Sequence, residues 1–244
     1  MRNSSAASSI AGMWLKSSMI KTLYNKNREL LAKQAVEIIG KAIEKLVAER
    51  GFAVLGIPSG RSVKELFAEF AVTNKINWKK VHIFWVDDRM VNQDDPDSNY
   101  KLAHDSFLKI IAKENMHGFC FDPNIDGQGV KQYNREFAGF ARFDIVILSS
   151  GEDGHVAALY PDHHSIKNKQ YRYFTMDDSP KPPIKRMTAS RSMLEASRVA
   201  ITLFIGEAKR TAYERFMNKE LPVESCPVKL LENIEESYIL TDIR

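Results

Sequence analysis

Apolar and polar positions alternate with a helical period from residue 27 to about residue 50, where Leu31, Ala35, Ile39, Ile43 and Leu46 fall on one face and lysines and glutamates on the other. Gly51 then ends the helix, and the segment before it, from Met19, reads as a strand. Residues 52–57 (FAVLGI) form a short apolar run of strand length, and PSGRS leads from it into a second helical pattern through Val63, Leu66, Phe67 and Phe70. A further strand is expected over residues 81–87 (VHIFWVD), followed by the polar loop DRMVNQDDPDSN and a helix from about residue 100 to 112.

The second half repeats this rhythm with weaker signals. A short strand is expected near residues 117–121, a turn at Asp126, Gly127 and Gly129, and a helix over residues 130–140. The run FDIVILSS then reads as a strand covered on both faces and ends in the turn GEDGH. YRYFTM and RMTAS look extended, VAITLFIG (residues 199–206) is another buried strand, GEAKRTAYERFM is helical, and SYILTD is a last strand. Strands separated by helices along the whole chain predict a Rossmann-like α/β fold, a mostly parallel sheet with helices on both faces. No repeat or interdomain linker is visible, so residues 19–244 are expected to form a single catalytic domain.

Composition narrows the possibilities. Thirty-five basic against 31 acidic residues give a net charge of +4, scattered in both signs, which argues against a nucleic-acid partner and remains compatible with a small anionic ligand. Only Cys120 and Cys226 occur, without CxxC or histidine spacing, so neither a disulfide framework nor a metal site is indicated and a reducing, cytoplasmic setting is expected. No stretch is long and apolar enough to span a bilayer. Residues 1–18 are serine-rich and carry two basic residues and no acid, but lack the arginine content of an organelle-targeting segment. They are expected to be a disordered extension, or to precede a start at Met19.

Three segments carry candidate chemistry, and each follows a predicted strand. In open parallel sheets, ligands bind outside the carboxyl ends of the strands, so these segments should meet on one edge. In Gly56-Ile-Pro-Ser-Gly-Arg-Ser62 a strand opens into a helix, a geometry that points backbone N–H groups at an anion. Gly60 allows close approach, Ser59 and Ser62 offer hydroxyls, and Ser62 is equally suited to cap the helix. The GK[ST] tail and GxGxxG are absent, which speaks against ATP and dinucleotides. Asp87-Asp88-Arg89 ends a second strand, with an arginine suited to carboxylate or phosphate and aspartates able to hold it or orient water. Asp153 and His155 follow the third. Further along, Lys181, Lys185 and Arg186 cluster beside Pro182-Pro183, and Lys209 stands in a helix's first turn, where a bound anion would offset its conflict with the helix dipole.

Together these residues resemble the 6-phosphogluconolactonases, relatives of the glucosamine-6-phosphate deaminases in the sugar-phosphate isomerase-like superfamily. The resemblance runs over nearly the whole chain after Met19 and rests on WxxVHxFWxDDR (residues 78–89), PDSNY (96–100), DGHVAALYP (153–161), the KPP…RMT segment and GxxK (206–209). It implies hydrolysis of 6-phosphoglucono-δ-lactone in the oxidative pentose phosphate pathway, with a small sugar phosphate as ligand, no cofactor or metal, and no obligate protein partner. By similarity, His155 is the general base for water, Asp153 orients or stabilises its imidazole, and Arg89 binds substrate or stabilises the oxyanion. Gly60, Arg61, Ser62, Arg186 and Lys209 match the phosphate site, with Ser59 and Asp87 as further candidate contacts.

The chain departs from the family pattern in three places, with Ser59-Gly60 for Gly-Gly, Asp88 for Glu, and Ser149-Ser150-Gly151 for Gly-Met-Gly. The deaminases resemble it in the phosphate loop, but they carry Asp-Glu-Tyr where this chain has Asp87-Asp88-Arg89. They also carry a glutamate five residues after the motif histidine, where Tyr160 stands here. A sugar-phosphate-binding protein without catalysis is the remaining alternative, against which the joint presence of Asp153, His155 and Arg89 speaks.

Overall fold

The computed structural model describes residues 19–244, so the expectation for residues 1–18 lies outside the described residues. The chain opens with β1 (Met19–Tyr24) and the long helix α1 (Arg28–Arg50). Asn27 caps this helix by accepting from the N–H groups of Glu29 and Leu30, and Gly51, at φ 89°, closes it in the left-handed region. Next come β2 (Ala53–Ile57), α2 (Lys64–Val72), β3 (Val81–Trp85), β4 (Asp87–Arg89), α3 (Asn99–Ser106), β5 (Met116–His117) and α4 (Val130–Ala138). The order continues through β6 (Ile145–Ser149), α5 (His164–Lys167), β7 (Tyr173–Met176), β8 (Arg186–Ala189), α6 (Arg191–Glu195), β9 (Val199–Phe204), α7 (Arg210–Met217) and β10 (Glu236–Thr241).

Seven strands form one parallel sheet in the order β1-β10-β9-β6-β2-β3-β5. Period-2 alternation divides its apolar strands between two cores. Val54, Phe84, Val146 and Phe204 face one side, and Leu55, Ile83, Ile147 and Leu203 the other. α1, α2 and α3 cover the second side, and α4, α6 and α7 the first, so the expected helices on both faces are present. Truncating a fully buried residue such as Ile147 to alanine would cost about 2–5 kcal/mol.

From β2 the chain proceeds outward to β3 and β5, and from β6 it proceeds the other way to β9 and β10. The order therefore reverses between β2 and β6, and the crevice at that switch point is where a doubly wound sheet binds its ligand.

Two local expectations are corrected. The strand foreseen over residues 81–87 breaks at Val86, whose N–H goes to Ile57 O while its carbonyl accepts from Ala189 N. Residues 87–89 then join a separate three-stranded antiparallel sheet, β4-β8-β7, that a reading of periodicity along one chain could not assemble. The helix foreseen to about residue 112 ends at Ser106 and passes into a 3-10 turn over Leu108–Ile110, because Phe107 (φ −140°) leaves helical geometry to enter the core. The short helix α5 and a 3-10 segment over Pro227–Asn233 carried no recognisable periodic signal.

Candidate active site

Four loops converge on a cleft of about 740 Å³ at the carboxyl ends of β2, β3, β6 and β9. It is lined by Ser59, Gly60, Arg61 and Ser62 after β2, by Asp87 and Arg89 from β4, by His155 after β6, and by Arg186 and Lys209. Asp153 does not line the cleft and instead stands behind His155, and Asp88 and Lys185 also fall outside its lining.

The turn after β6 is built around that pair. Asp153 Oδ1 accepts from the His155 backbone N–H at 3.1 Å and lies 2.6 Å from Nδ1. The imidazole therefore donates through Nδ1, leaving Nε2 as its acceptor nitrogen. Asp153 Oδ2 pairs with Lys181 Nζ at 3.2 Å. Burial works to raise the Asp153 carboxyl, but the hydrogen bond and charge of His155, with Lys181 behind it, hold it well below the usual carboxylate range. The ring of Tyr160 lies against His155 with centroids 4.8 Å apart, and its hydroxyl accepts from Ser179 Oγ at 2.9 Å.

Gly151 is what lets this turn close. A Cβ there would fall 2.0 Å from His155 Nδ1 and 2.7 Å from Asp153 Oδ1, so any side chain would displace the pair. Of the three residues that depart from or match the Gly-Met-Gly pattern, the steric demand thus falls on the retained glycine. Ser150 is buried with its hydroxyl donating to Gly151 O at 2.9 Å.

The phosphate-loop candidates open a helical stretch. Gly60, at φ 105°, precedes a 3-10 turn over Arg61–Val63 that runs directly into α2, and neither carries a side-chain cap. Ser62 is thus a cleft residue and not the helix cap it was equally suited to be. The same architecture recurs after β9, where Gly206, at φ 92°, precedes a 3-10 turn over Glu207–Lys209 and then α7, again with no side-chain cap. Two helical N-termini without side-chain caps border one cleft, leaving backbone N–H donors for an anion.

In β4 the pleat puts Asp87 and Arg89 on the cleft side and Asp88 on the other. Register pairs Arg89 with Arg186 across the antiparallel ladder, which is how two arginines almost a hundred residues apart meet. Neither aspartate holds the Arg89 guanidinium. Its Nη1 donates to Asp97 O at 2.7 Å and to Asn99 Oδ1, which also accepts from Ser59 Oγ. Asp88 instead receives the backbone N–H groups of Arg89, Asn99 and Tyr100, tying β4 to the start of α3. Burial pushes its carboxyl up to about 7 against the pull of those donors. The aspartate that replaces the family's glutamate is therefore an anchor for α3, away from the cleft.

Arg186 is only 6% exposed and donates to Pro183 O at 2.8 Å and Pro182 O at 3.1 Å, with Asp87 Oδ2 at 4.0 Å. Burial lowers the Lys209 ammonium below its ordinary value, partly offset by the charge of Glu152. The cleft also holds two cations that the sequence reading did not place there. Lys181 comes from the basic cluster beside Pro182-Pro183, and Arg28, held by Asp242 at 2.7 Å, comes from the first turn of α1. An arginine at that helix position opposes the dipole just as Lys209 does, and this was the available signal. Six cationic side chains thus line the cleft against three carboxylates, Asp87, Glu152 and Glu207.

A doubly wound α/β protein with a cationic cleft at its switch point and an aspartate-held histidine inside it is one built to take a small anion to an acid–base group. The family described as glucosamine-6-phosphate isomerases/6-phosphogluconolactonase matches residues 26–240. A Borreliella burgdorferi protein named 6-phosphogluconolactonase is 31% identical over 204 residues, covering 79% of this chain and 85% of its own length. In fold, the chain is similar to the crystal structure of 6-phosphogluconolactonase from Thermotoga maritima, with a TM-score of 0.78 at 23% identity over 92% of this chain and 99% of that one. It is also similar to a monomeric glucosamine-6-phosphate deaminase, at a TM-score of 0.73 and 18% identity over 91% of this chain and 96% of that one. The chain belongs to the glucosamine-6-phosphate isomerase/6-phosphogluconolactonase family.

Proposed function

We propose that the protein hydrolyses 6-phospho-D-glucono-1,5-lactone to 6-phospho-D-gluconate, acting through the cleft as one catalytic unit over residues 19–244. The observation that carries this is the His155 site, with Nδ1 bonded to Asp153 and Tyr160 on its ring. Neutral His155 takes a proton from water at Nε2 as the water oxygen attacks the lactone carbonyl carbon. Asp153 stabilises the imidazolium that forms, and Lys181 keeps Asp153 oriented. The oxyanion develops among the cleft's cations, with Arg89 held ready by Asn99 and the Asp97 carbonyl. Collapse breaks the bond from the carbonyl carbon to the ring oxygen, and His155 returns its proton to that oxygen. The phosphate is taken by the N–H groups after Gly60 and Gly206, with Ser59, Arg61, Ser62, Arg186 and Lys209 around it and Asp87 steadying Arg186.

Fold alone does not separate lactone hydrolysis from amino-sugar deamination, since both occur among the structural neighbours. The residue at position 160 does bear on it. Where the deaminases place a glutamate five residues after the histidine, this chain places Tyr160, whose ring packs tilted against His155 and whose hydroxyl accepts from Ser179 and is raised above its ordinary value by burial. The deciding experiment measures 6-phosphogluconate release above the spontaneous rate alongside ammonia release from glucosamine 6-phosphate. Gluconate without ammonia is expected. Ammonia without gluconate would overturn the assignment, and product binding without turnover would make the protein a sugar-phosphate binder.

A further inference from the structure

Beside the cleft, on the outer side of Tyr160, the fold brings together three side chains that the lactone chemistry does not use. His163 is the N-cap of α5, His164 is its first residue, and Asp178 follows the end of β7 by two residues. His164 Nε2 lies 2.9 Å and 3.0 Å from the two Asp178 oxygens, and His163 Nε2 lies 3.5 Å from Oδ2. Among the described residues, one ligand atom from each of the three falls within 4.8 Å of the others.

These spacings suit a cation. Metal–nitrogen and metal–oxygen bonds of about 2.0–2.2 Å put neighbouring donors about 3.0 Å apart in an octahedral set and about 3.4 Å apart in a tetrahedral one. The His164–Asp178 contacts at 2.9 and 3.0 Å and the His163–Asp178 contact at 3.5 Å are in that range, and the ligand atoms of the two histidines lie within 4.8 Å of each other, so a cation would draw the two imidazoles together on the shared carboxylate. The ring of His163 is fixed on its other side. Its Nδ1 accepts from the Ser165 N–H at 3.3 Å, the capping bond of α5, and lies 3.0 Å from Ser165 Oγ, which receives the Tyr160 N–H at 3.1 Å. This aims Nε2 at Asp178, and a cation bound there takes the place of the Nε2 proton, the remaining ring proton then sitting on Nδ1 toward Ser165 Oγ.

We propose that His163, His164 and Asp178 form a binding site for a borderline divalent transition-metal cation such as Zn²⁺ or Ni²⁺, which clamps α5 to the segment between β7 and β8. Two imidazoles and one carboxylate select such ions over Mg²⁺ or Ca²⁺, which take oxygen ligands. His164 and Asp178 are more than half exposed, so water completes the coordination and the ion exchanges with solvent. The clamp reaches the catalytic side chains through short links. Asp178 adjoins Ser179, whose hydroxyl donates to Tyr160 and receives the Lys181 N–H at 3.3 Å. Tyr160 rests on His155, and Lys181 pairs with Asp153.

The test is calorimetric titration of the untagged full chain with Zn²⁺, Ni²⁺ and Mg²⁺, paired with thermal unfolding at each condition. Saturable Zn²⁺ and Ni²⁺ binding, a raised midpoint with Zn²⁺ and no response to Mg²⁺ are expected. His164→Ala and Asp178→Asn should each weaken Zn²⁺ binding at least about 10-fold and abolish the thermal shift, with basal turnover of His164→Ala unchanged. The proposal fails if both variants bind Zn²⁺ as tightly as the parent chain, if Mg²⁺ binds equally well, or if Cys120→Ser rather than His164→Ala removes the binding.

Discussion

The turn after β6 and the strand β4 each carry an aspartate, one behind the cleft's histidine and one turned away from the cleft, and the two carboxyls meet opposite surroundings. Asp153 lies against an imidazole and an ammonium, which hold it ionised despite partial burial. Asp88 has no cationic side chain on it among the described residues and is 1% exposed, so burial pushes it up to about 7 even though three backbone N–H groups point at it. The comparison shows that the nearest partner, and not the residue type or its place after a strand, decides what an aspartate does here. One holds the histidine of the cleft, and the other ties a helix to a strand.

The sharpest way to break the contrast is at the histidine. His155→Ala should lower kcat by about 10²–10⁴-fold while the affinity for 6-phosphogluconate changes by less than about threefold, checked by steady-state turnover and product titration. Undiminished turnover would sink the assignment of His155 as base. Gly151→Ala should come next. Its Cβ must push the His155 ring away, so a loss of about 10²-fold in kcat is expected with an unchanged circular dichroism spectrum.

On the phosphate side, Lys209→Ala should raise KM about 10-fold and change kcat by less than about threefold, since a contact of equal strength in ground and transition states affects binding alone. A dominant effect on kcat would place Lys209 with the reacting groups instead.

The effects expected to leave KM and kcat least changed concern stability against pH, and they carry opposite signs. Asp153 has a depressed folded value, so its contribution is present above the unfolded value of about 3.9 and is lost as pH falls through the folded one. Asp153→Asn should flatten the acid limb of the stability curve. Asp88 has a raised folded value, so the folded state holds the extra proton and stability falls as pH rises from about 4 to about 7, by roughly 1.4 kcal/mol per unit of difference. Asp88→Asn should flatten that decline. Urea unfolding at a series of pH values separates the two, and slopes of the same sign would dissolve the distinction.

Much of the site was legible along the chain because parallel strands deliver their following loops to one edge. PSGRS, GEDGH and GEAK each follow an apolar run, and all three line or support the cleft. The small antiparallel sheet is where that legibility ended. β4 and β8 are three and four residues long, too short for periodicity to reveal their pairing, and they are almost a hundred residues apart. Asn99 stands in the sequence only as the end of a polar loop, although its amide links Asp87 O, Arg89 and Ser59. Lys181 is visible along the chain as part of a basic cluster and Arg28 as a cation opposing its helix dipole, but only the fold brings the two to one cleft.

By itself, then, the sequence determined the alternation of strands and helices, the strand-end position of the candidate residues and the pairing of Asp153 with His155, because each rests on contacts within a few residues. The tertiary structure alone decided which strands are neighbours, that β2 and β6 flank the switch point, that Arg89 faces Arg186, and that Asp88 turns away from the cleft. Those outcomes depend on register and on which face of a pleat is buried, and both are set by packing between segments distant in the chain.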